Sequence, residues 1–207
     1  MEHSHPFRYI TYALVSTLIV LLCGCMGKSQ PSRFYALAPM HIQDDIKEEA
    51  SVEPRTVIGL RSVDIPDYLD RPQLVTRNSQ NELDVAEYDR WAGSINEEIK
   101  TVLAENLSTL LSQDRVTVMS ADWNIPVDYW LAIDIRRFDV MPDNVLLLKA
   151  EWTLASRDGK TVHLLREARF SEPINGTEYS AKVAAMSKAM ERLSREMANA
   201  IGYKIQR

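Results

Sequence analysis

Cysteine, histidine and glycine are all scarce in this chain of 207 residues. The only cysteines are Cys23 and Cys25, beside four histidines and seven glycines. A disulfide-stapled fold or a thiolate metal site in the body of the protein would need thiols that the sequence lacks. There is also no Gly-rich phosphate loop, no Gly-x-Ser-x-Gly elbow and no His-Glu-x-x-His pair. The sequence therefore predicts no cofactor, no metal ion and no enzyme activity.

Positive charge is in short supply as well. Lys and Arg number 24 against 29 Asp and Glu, which gives a formal net charge of -5. Such a balance repels a polyphosphate and disfavours a nucleic-acid partner. The content of 45% hydrophobic and 26% charged residues is typical of a globular protein, and the length favours a single domain.

No hydrophobic run is long enough to cross a membrane as a helix. The apolar residues 9–22 after Arg8 form a stretch of about 14 residues, shorter than the ~20 that a transmembrane helix needs. This stretch ends in Leu22-Cys23-Gly24-Cys25, which has the pattern of a bacterial lipobox. The diacylglycerol transferase needs a thiol as nucleophile, and the signal peptidase needs small residues beside the cut, so Cys25 is the predicted lipid-attachment residue. A plain signal peptide or a short membrane anchor is the alternative.

The lipobox sets the expected domain boundaries and location. Residues 1–24 are predicted to be the signal peptide, 25–32 the acylated cysteine and its tether, and 33–207 a single domain. Each buried acyl CH₂ contributes ~0.8 kcal/mol, and two or more chains such as palmitate anchor a protein stably. Met26, rather than the Asp that favours inner-membrane retention, follows Cys25. We therefore expect a protein that is lipid-anchored to the periplasmic face of the outer membrane.

The first part of the predicted domain alternates strands with one helix. Ser94-Ile95-Asn96-Glu97 has the pattern of a capping box, in which Ser94 and Glu97 would satisfy each other's amides. A helix with one apolar face is predicted from there to about Ser112. Short strands are predicted at residues 33–37, 56–63, 73–77, 83–88 and 115–119, with 73–77 and 83–88 paired around a turn.

The second part contains the strongest strand signals. Alternation from Val127 is followed by a shift of register near Arg136-Arg137, which predicts a bulge. Two further alternating runs flank Asp158-Gly159, which predicts a hairpin. Apolar residues at spacings of three and four then predict a terminal amphipathic helix over about 183–200. The expected fold class is α+β, a largely antiparallel sheet with two amphipathic helices packed on it.

Two features admit more than one interpretation. The stripe Met186, Met190 and Met197 on the terminal helix either packs the core or faces a lipid, since methionine adapts to irregular partners. His163 lies in a predicted strand and is either a surface residue on its polar face or a general base, of which the first is expected. The lipid interpretation of the methionines gives the alternative function, a periplasmic lipid-binding module that acts on its own.

Several short motifs together resemble the PqiC/YmbA family of ABC-type transport auxiliary lipoproteins. The most specific is Ile65-Pro66-Asp67-Tyr68-Leu69-Asp70-Arg71-Pro72-Gln73-Leu74-Val75-Thr76-Arg77. The others are Tyr35-x-Leu37, Trp91-Ala92, Leu103-Ala104-Glu105-Asn106-Leu107, Asp114-Arg115-Val116, Phe138 and Ala150-Glu151-Trp152. The sequence departs from the family at Leu60-Arg61-Ser62, where a small, Gly-containing apolar stretch is more usual.

The resemblance implies an outer-membrane lipoprotein without enzyme activity. It implies a homo-oligomeric adaptor that works with an MCE-domain protein (PqiB-like) and its inner-membrane partner in intermembrane lipid transport and envelope integrity. Beyond Cys25, the residues of interest are a structural or docking corner. It comprises Pro66, Asp67, Tyr68, Leu69, Asp70, Arg71 and Pro72. Two prolines restrict this backbone, Tyr68 and Leu69 offer apolar contact, and Asp67 or Asp70 is placed to orient Arg71.

Overall fold

Strands account for most of the secondary-structure elements among the described residues. The computed structural model describes residues 12, 30–41, 56–120 and 126–205. The strands are β1 (Arg33–Tyr35), β2 (Thr56–Asp64), β3 (Gln73–Arg77), β4 (Leu83–Trp91), β5 (Val116–Ser120), β6 (Tyr129–Val140), β7 (Val145–Ser156) and β8 (Val162–Pro173). The helices are α1 (Ile95–Leu110), followed by a short 3-10 turn, and α2 (Tyr179–Ile205).

Strand β6 lies at the centre of one mixed sheet. Its whole length pairs antiparallel with β7, which in turn pairs antiparallel with β8. On its other edge, β2 runs parallel to its first half, and β3 joins at the single pair Thr76 and Val140. Strand β5 extends the sheet beyond β2, while β4 and then β1 extend it beyond β3. The α+β class is confirmed: the two longest ladders are antiparallel, and parallel pairings join β1, β2, β3 and β5 to their neighbours.

Two register shifts bend the central strands. The first lies between Ile135 and Arg137 in β6, where the sequence predicts a bulge. The second lies between Leu60 and Ser62 in β2, so that Arg61 is the extra residue there. A bulge turns the side chain of its extra residue away from the regular alternation of the strand.

The core lies between one face of the sheet and the two helices. Trp152 and Phe138 from the sheet and Leu103 from α1 are each no more than 1% exposed. Met190 from α2 is fully buried, and Met186 and Met197 are buried beside it. Each such side chain contributes about 1.5–3 kcal/mol of burial free energy relative to exposure. The methionine stripe therefore packs the core, which is one of the two interpretations that the sequence left open.

The segment after β1 crosses the two helices. The amide of Leu37 donates to Glu98 Oε2 at 3.0 Å, and that of Met40 donates to Asn106 Oδ1 at 2.8 Å. Asn106 is 1% exposed and donates in turn to Ser194 Oγ on α2 at 3.2 Å. One buried amide side chain thus links the incoming chain to both helices.

The capping box predicted at the start of α1, with Ser94 and Glu97 as partners, is wrong. Ser94 is the N-cap residue, but its side chain makes no capping hydrogen bond. Glu97 pairs instead with Lys100 one turn on, at 2.8 Å. Glu98, in the first turn of α1, instead ties the preceding chain to the helix, because its Oε1 accepts from the amide of Gly93 at 3.2 Å while its Oε2 accepts from the amide of Leu37. This choice depends on a partner 61 residues away, which local spacing does not reveal.

Candidate functional site

The chain turns sharply between β2 and β3 at the proline-framed residues 66–72, called the corner from here on. The amide of Leu69 donates to the carbonyl of Pro66 at 2.9 Å, which closes a tight turn. The carbonyl of Pro72 accepts from the amide of Trp91 at 2.7 Å, which ties the end of the corner to β4. Because proline fixes φ and restricts the preceding residue, the two prolines limit the conformations open to this loop.

Asp139 on β6 collects three side chains beneath the corner. The hydroxyl of Tyr68 donates to Asp139 Oδ1 at 2.8 Å. Arg77 Nε and Arg137 Nε both donate to Oδ2, at 2.7 and 3.0 Å. Asp139 is only 2% exposed, so its charge depends on these partners rather than on water. These four residues are called the Asp139 cluster below.

The contacts within the Asp139 cluster raise the pKa values of Tyr68 and Arg77. Burial raises the pKa of the Tyr68 phenol, and its hydrogen bond to Asp139 raises it further. The hydrogen bond to Asp139 raises the pKa of the Arg77 guanidinium. That guanidinium also lies 5.4 Å from the centroid of the Tyr68 ring, within the range of a cation–π interaction. Both carboxylate oxygens are occupied, so the cluster fixes the corner to the sheet.

The corner has a buried side and an exposed side. Leu69 is buried in the core, and Tyr68 contacts the Asp139 cluster. Asp67, Asp70 and Arg71 are exposed. Within the described ranges Arg71 forms no ion pair with Asp67 or Asp70, contrary to the sequence expectation, although other exposed pairs such as Arg136 with Asp134 do form. The corner thus presents two carboxylates and a guanidinium to its surroundings.

The Tyr35-x-Leu37 motif fixes the first strand to the domain. The Tyr35 hydroxyl donates to Asp89 Oδ1 at 2.8 Å, and Arg33 pairs with the same carboxylate at 2.8 Å. Burial of Asp89 favours its neutral form, but the hydrogen bonds from Arg33 and Tyr35 outweigh this and lower its pKa. Leu37 is buried against the helices. These residues of the family pattern therefore have structural roles.

The helix–sheet interface that the structure describes leaves little room for a lipid. The void lined by Met186, Leu69, Phe138 and Trp91 has a volume of about 10 Å³. Such a volume holds one water molecule at most. The observation that motivated an independent lipid-binding module, the methionine stripe, is thus accounted for by core packing.

The histidine expected on an exposed strand face is placed differently. His163 is the extra residue where the register between β7 and β8 shifts, between Leu154 and Ala155. Its ring contacts that of Tyr129 edge-on, with centroids 5.3 Å apart, and it is half-buried.

Among the residues that the structure describes, no group of three or more His, Cys, Asp or Glu side chains is placed to hold a metal ion.

Cys25 and the predicted signal peptide, apart from Tyr12, lie outside the described residues. None of the helices in the described ranges is both long and apolar enough to span a membrane. The lipid-attachment site therefore stays a prediction.

Sequence reasoning missed Asp139 as the organising residue of the corner. In the sequence, Asp139 is a lone carboxylate between the apolar residues Phe138 and Val140. An acidic residue in such an apolar run is seldom buried without a partner. Its partners, 62 and 71 positions earlier in the chain, became identifiable only from the pairing of β3 with β6.

Comparisons with solved structures show the fold, and a family model shows the family. A crystal structure titled only as that of an uncharacterized protein superposes with a TM-score of 0.69 at 19% identity, covering 83% of this chain and 99% of its own. Protein XCC0632 from Xanthomonas campestris gives 0.66 at 17% identity, covering 84% and 97%. No curated protein matches. The family model of the ABC-type transport auxiliary lipoprotein component matches residues 35–198. This chain therefore belongs to the family of ABC-type transport auxiliary lipoprotein components.

Proposed function

We propose that this chain is a non-enzymatic adaptor lipoprotein of an MCE-type intermembrane lipid transport system that supports envelope integrity. Acyl chains on Cys25 anchor it to the periplasmic face of the outer membrane. The observation that carries the proposal is the family match, which begins at Tyr35, ten positions after the lipobox cysteine. The family's description names a transport component and no reaction.

The short tether supports a role close to the membrane. Arg33, the first residue of β1, is eight positions after Cys25. A fully extended chain spans at most about 3.6 Å per residue, so β1 starts within about 29 Å of the anchor. Hydrogen bonds from Leu37 and Met40 to α1 then hold the chain against the domain directly after β1. A tether of this length limits how far the domain can lie from a lipid anchor on Cys25.

The exposed side of the corner is the proposed docking surface for the MCE-domain partner. Asp67, Asp70 and Arg71 are exposed there, while the Asp139 cluster holds the backbone beneath them. Charged groups on a rigid loop favour specific and oriented docking. The adaptor is proposed to act as a homo-oligomer that also reaches the inner-membrane partner through the MCE protein.

Crosslinking in cells tests the adaptor proposal. A C-terminally tagged chain and its Cys25→Ala variant are crosslinked in their native host, and recovered proteins are identified by mass spectrometry. We expect self-crosslinks and an MCE-domain protein with the acylated form, and much less of that protein with Cys25→Ala. Recovery of abundant envelope proteins alone would contradict the proposal.

A second comparison tests the docking surface separately from folding. The triple variant Asp67→Asn, Asp70→Asn, Arg71→Gln changes only exposed side chains of the corner. The control, Glu167→Gln with Arg169→Gln, changes an equally exposed pair on β8. We expect the corner variant to lose most of the MCE crosslink and the control to keep it. Equal crosslinking by both would place the docking surface elsewhere.

A further inference from the structure

Arg61, in the Leu60-Arg61-Ser62 segment of β2, forms one wall of an open groove. Arg61 is the extra residue of the β2 bulge, which places its guanidinium carbon 5.8 Å from the centroid of the Trp130 ring. This distance is within the range of a cation–π interaction. The groove has a volume of about 420 Å³, and its remaining walls come from Arg157, Asp158 and Gly159 in the β7–β8 turn.

The Trp130 platform of this groove is held in place. Its indole Nε1 donates to the carbonyl of Arg157 at 2.9 Å. The ring lies directly over Gly59, where a Cβ atom would come within 2.6 Å of it. A glycine in the strand therefore makes space for the indole to lie flat against β2. The aromatic face of the groove is thus fixed before any ligand arrives.

The groove is cationic in a protein whose net charge is -5. Among the described residues, neither Arg61 nor Arg157 has an ion-pair partner, and both are exposed. The carboxylate of Asp158 is engaged within the turn, where it accepts from Ser156 Oγ at 2.6 Å and from the amide of Lys160 at 3.1 Å. Asp158 is the one carboxylate among the groove's lining residues, so two guanidinium groups against one carboxylate leave the groove a formal charge of +1.

We propose that this groove binds the headgroup phosphate of a membrane phospholipid whose headgroup carries a net negative charge. Guanidinium groups suit a phosphate because their planar donors match its oxygens. A tryptophan beside cationic residues is typical of surfaces that lie at the lipid headgroup level, where anionic lipids attract arginine. The inference rests on the membrane anchoring in the proposed function, since the tether keeps the domain where such headgroups are concentrated.

Native mass spectrometry of the full-length acylated chain in a non-ionic detergent tests this site. The probes are short-chain phosphatidylglycerol and the matching zwitterionic phosphatidylcholine at equal concentrations. We expect at least about fivefold higher occupancy by phosphatidylglycerol. Arg61→Gln with Arg157→Gln should reduce that preference to none, whereas Arg61→Lys with Arg157→Lys, which keeps the charge, should retain part of it. Arg136→Gln, a control at an exposed arginine paired with Asp134, should leave it unchanged.

Failure of the headgroup site and failure of the lipid anchoring would give different results. Equal binding of the two lipids, or an unchanged preference in the Gln double variant, would overturn the proposal. Water-soluble glycerophosphoglycerol should displace the lipid at a concentration at least about fivefold lower than inorganic phosphate. Equal displacement by the two would mean that the groove recognises free phosphate, and the lipid assignment would be wrong. Failure of the anchoring itself would appear separately, as a full-length chain that lacks the mass of its acyl groups.

Discussion

Asp139→Ala is the substitution that most directly tests how the corner is held. It removes the carboxylate that accepts from Tyr68, Arg77 and Arg137 at 2.7–3.0 Å. The side chain of Arg77 is 15% exposed and that of Arg137 is 33% exposed, so water recovers only part of the lost interactions. We therefore expect the folded state to retain a poorly compensated guanidinium and an unsatisfied phenol.

The structure sets the size of this effect. Removing one partner of a buried ion pair costs about 3–5 kcal/mol, because the other charge stays buried. The partial exposure of Arg137 places the expected loss at the lower end, about 3 kcal/mol in the free energy of unfolding. For a domain of this size, such a loss lowers the melting temperature by roughly 6–12 °C.

Urea unfolding of the full-length chain, followed by circular dichroism, measures this loss. The matched control is Asp134→Ala on the same strand, whose pair with Arg136 has side chains 50% and 60% exposed. An exposed pair of this kind contributes about 0.5 kcal/mol or less, so the control should unfold almost as the wild type does. Equal losses for the two variants, with the same denaturant slope, would refute the reasoning that burial makes the Asp139 cluster important.

Three further outcomes are expected. Folding raises the pKa of the Tyr68 phenol, so the neutral phenol stabilises the folded state. This stabilisation is complete below the pKa of the unfolded chain, about 10, and is lost as the pH rises through the pKa of the folded state. In Tyr68→Phe the free energy of unfolding should therefore fall less steeply above about pH 10. A pH series of urea midpoints for both proteins checks this, and parallel curves would contradict it. Met190→Ala should lower the unfolding free energy by about 2–5 kcal/mol because it leaves a cavity at a fully buried position, and a loss below about 1 kcal/mol would mean that α2 repacks. Gly59→Ala should cost about 1–3 kcal/mol and alter the tryptophan fluorescence by displacing Trp130, whereas an unchanged spectrum would mean that the ring does not move.

The elements that could be predicted from the sequence are those specified by local pattern. Asp158-Gly159 between two alternating runs gives the β7–β8 hairpin, and Gly159 has a φ of 70°. The change of alternation at Arg136-Arg137 gives the bulge of β6. These two predictions are correct because turn chemistry and side-chain alternation act over a few residues and do not depend on the rest of the chain.

Elements whose limits depend on distant strands were less accurately predicted. Strand β4 was expected to end at Tyr88 but continues to Trp91, because β1 pairs with it in parallel over Asp89, Arg90 and Trp91. Helix α2 was expected from Val183 but starts at Tyr179, whose ring packs near that of Tyr35 with centroids 6.5 Å apart. In both cases β1, which lies far away in the sequence, supplies the missing contacts.

The sequence by itself determined the α+β class, the hairpin, the bulge of β6, the apolar faces of both helices and the motifs of the family. Only the tertiary structure decided that β2 and β3 share one edge of β6, which brings Arg77 to Asp139 under the corner. It likewise decided that Arg61 lies over Trp130 and that Glu98, not Glu97, binds a backbone amide just before α1. The reason is physical: local patterns fix which face of an element is apolar, whereas the pairing of strands distant in the chain decides which polar side chains meet.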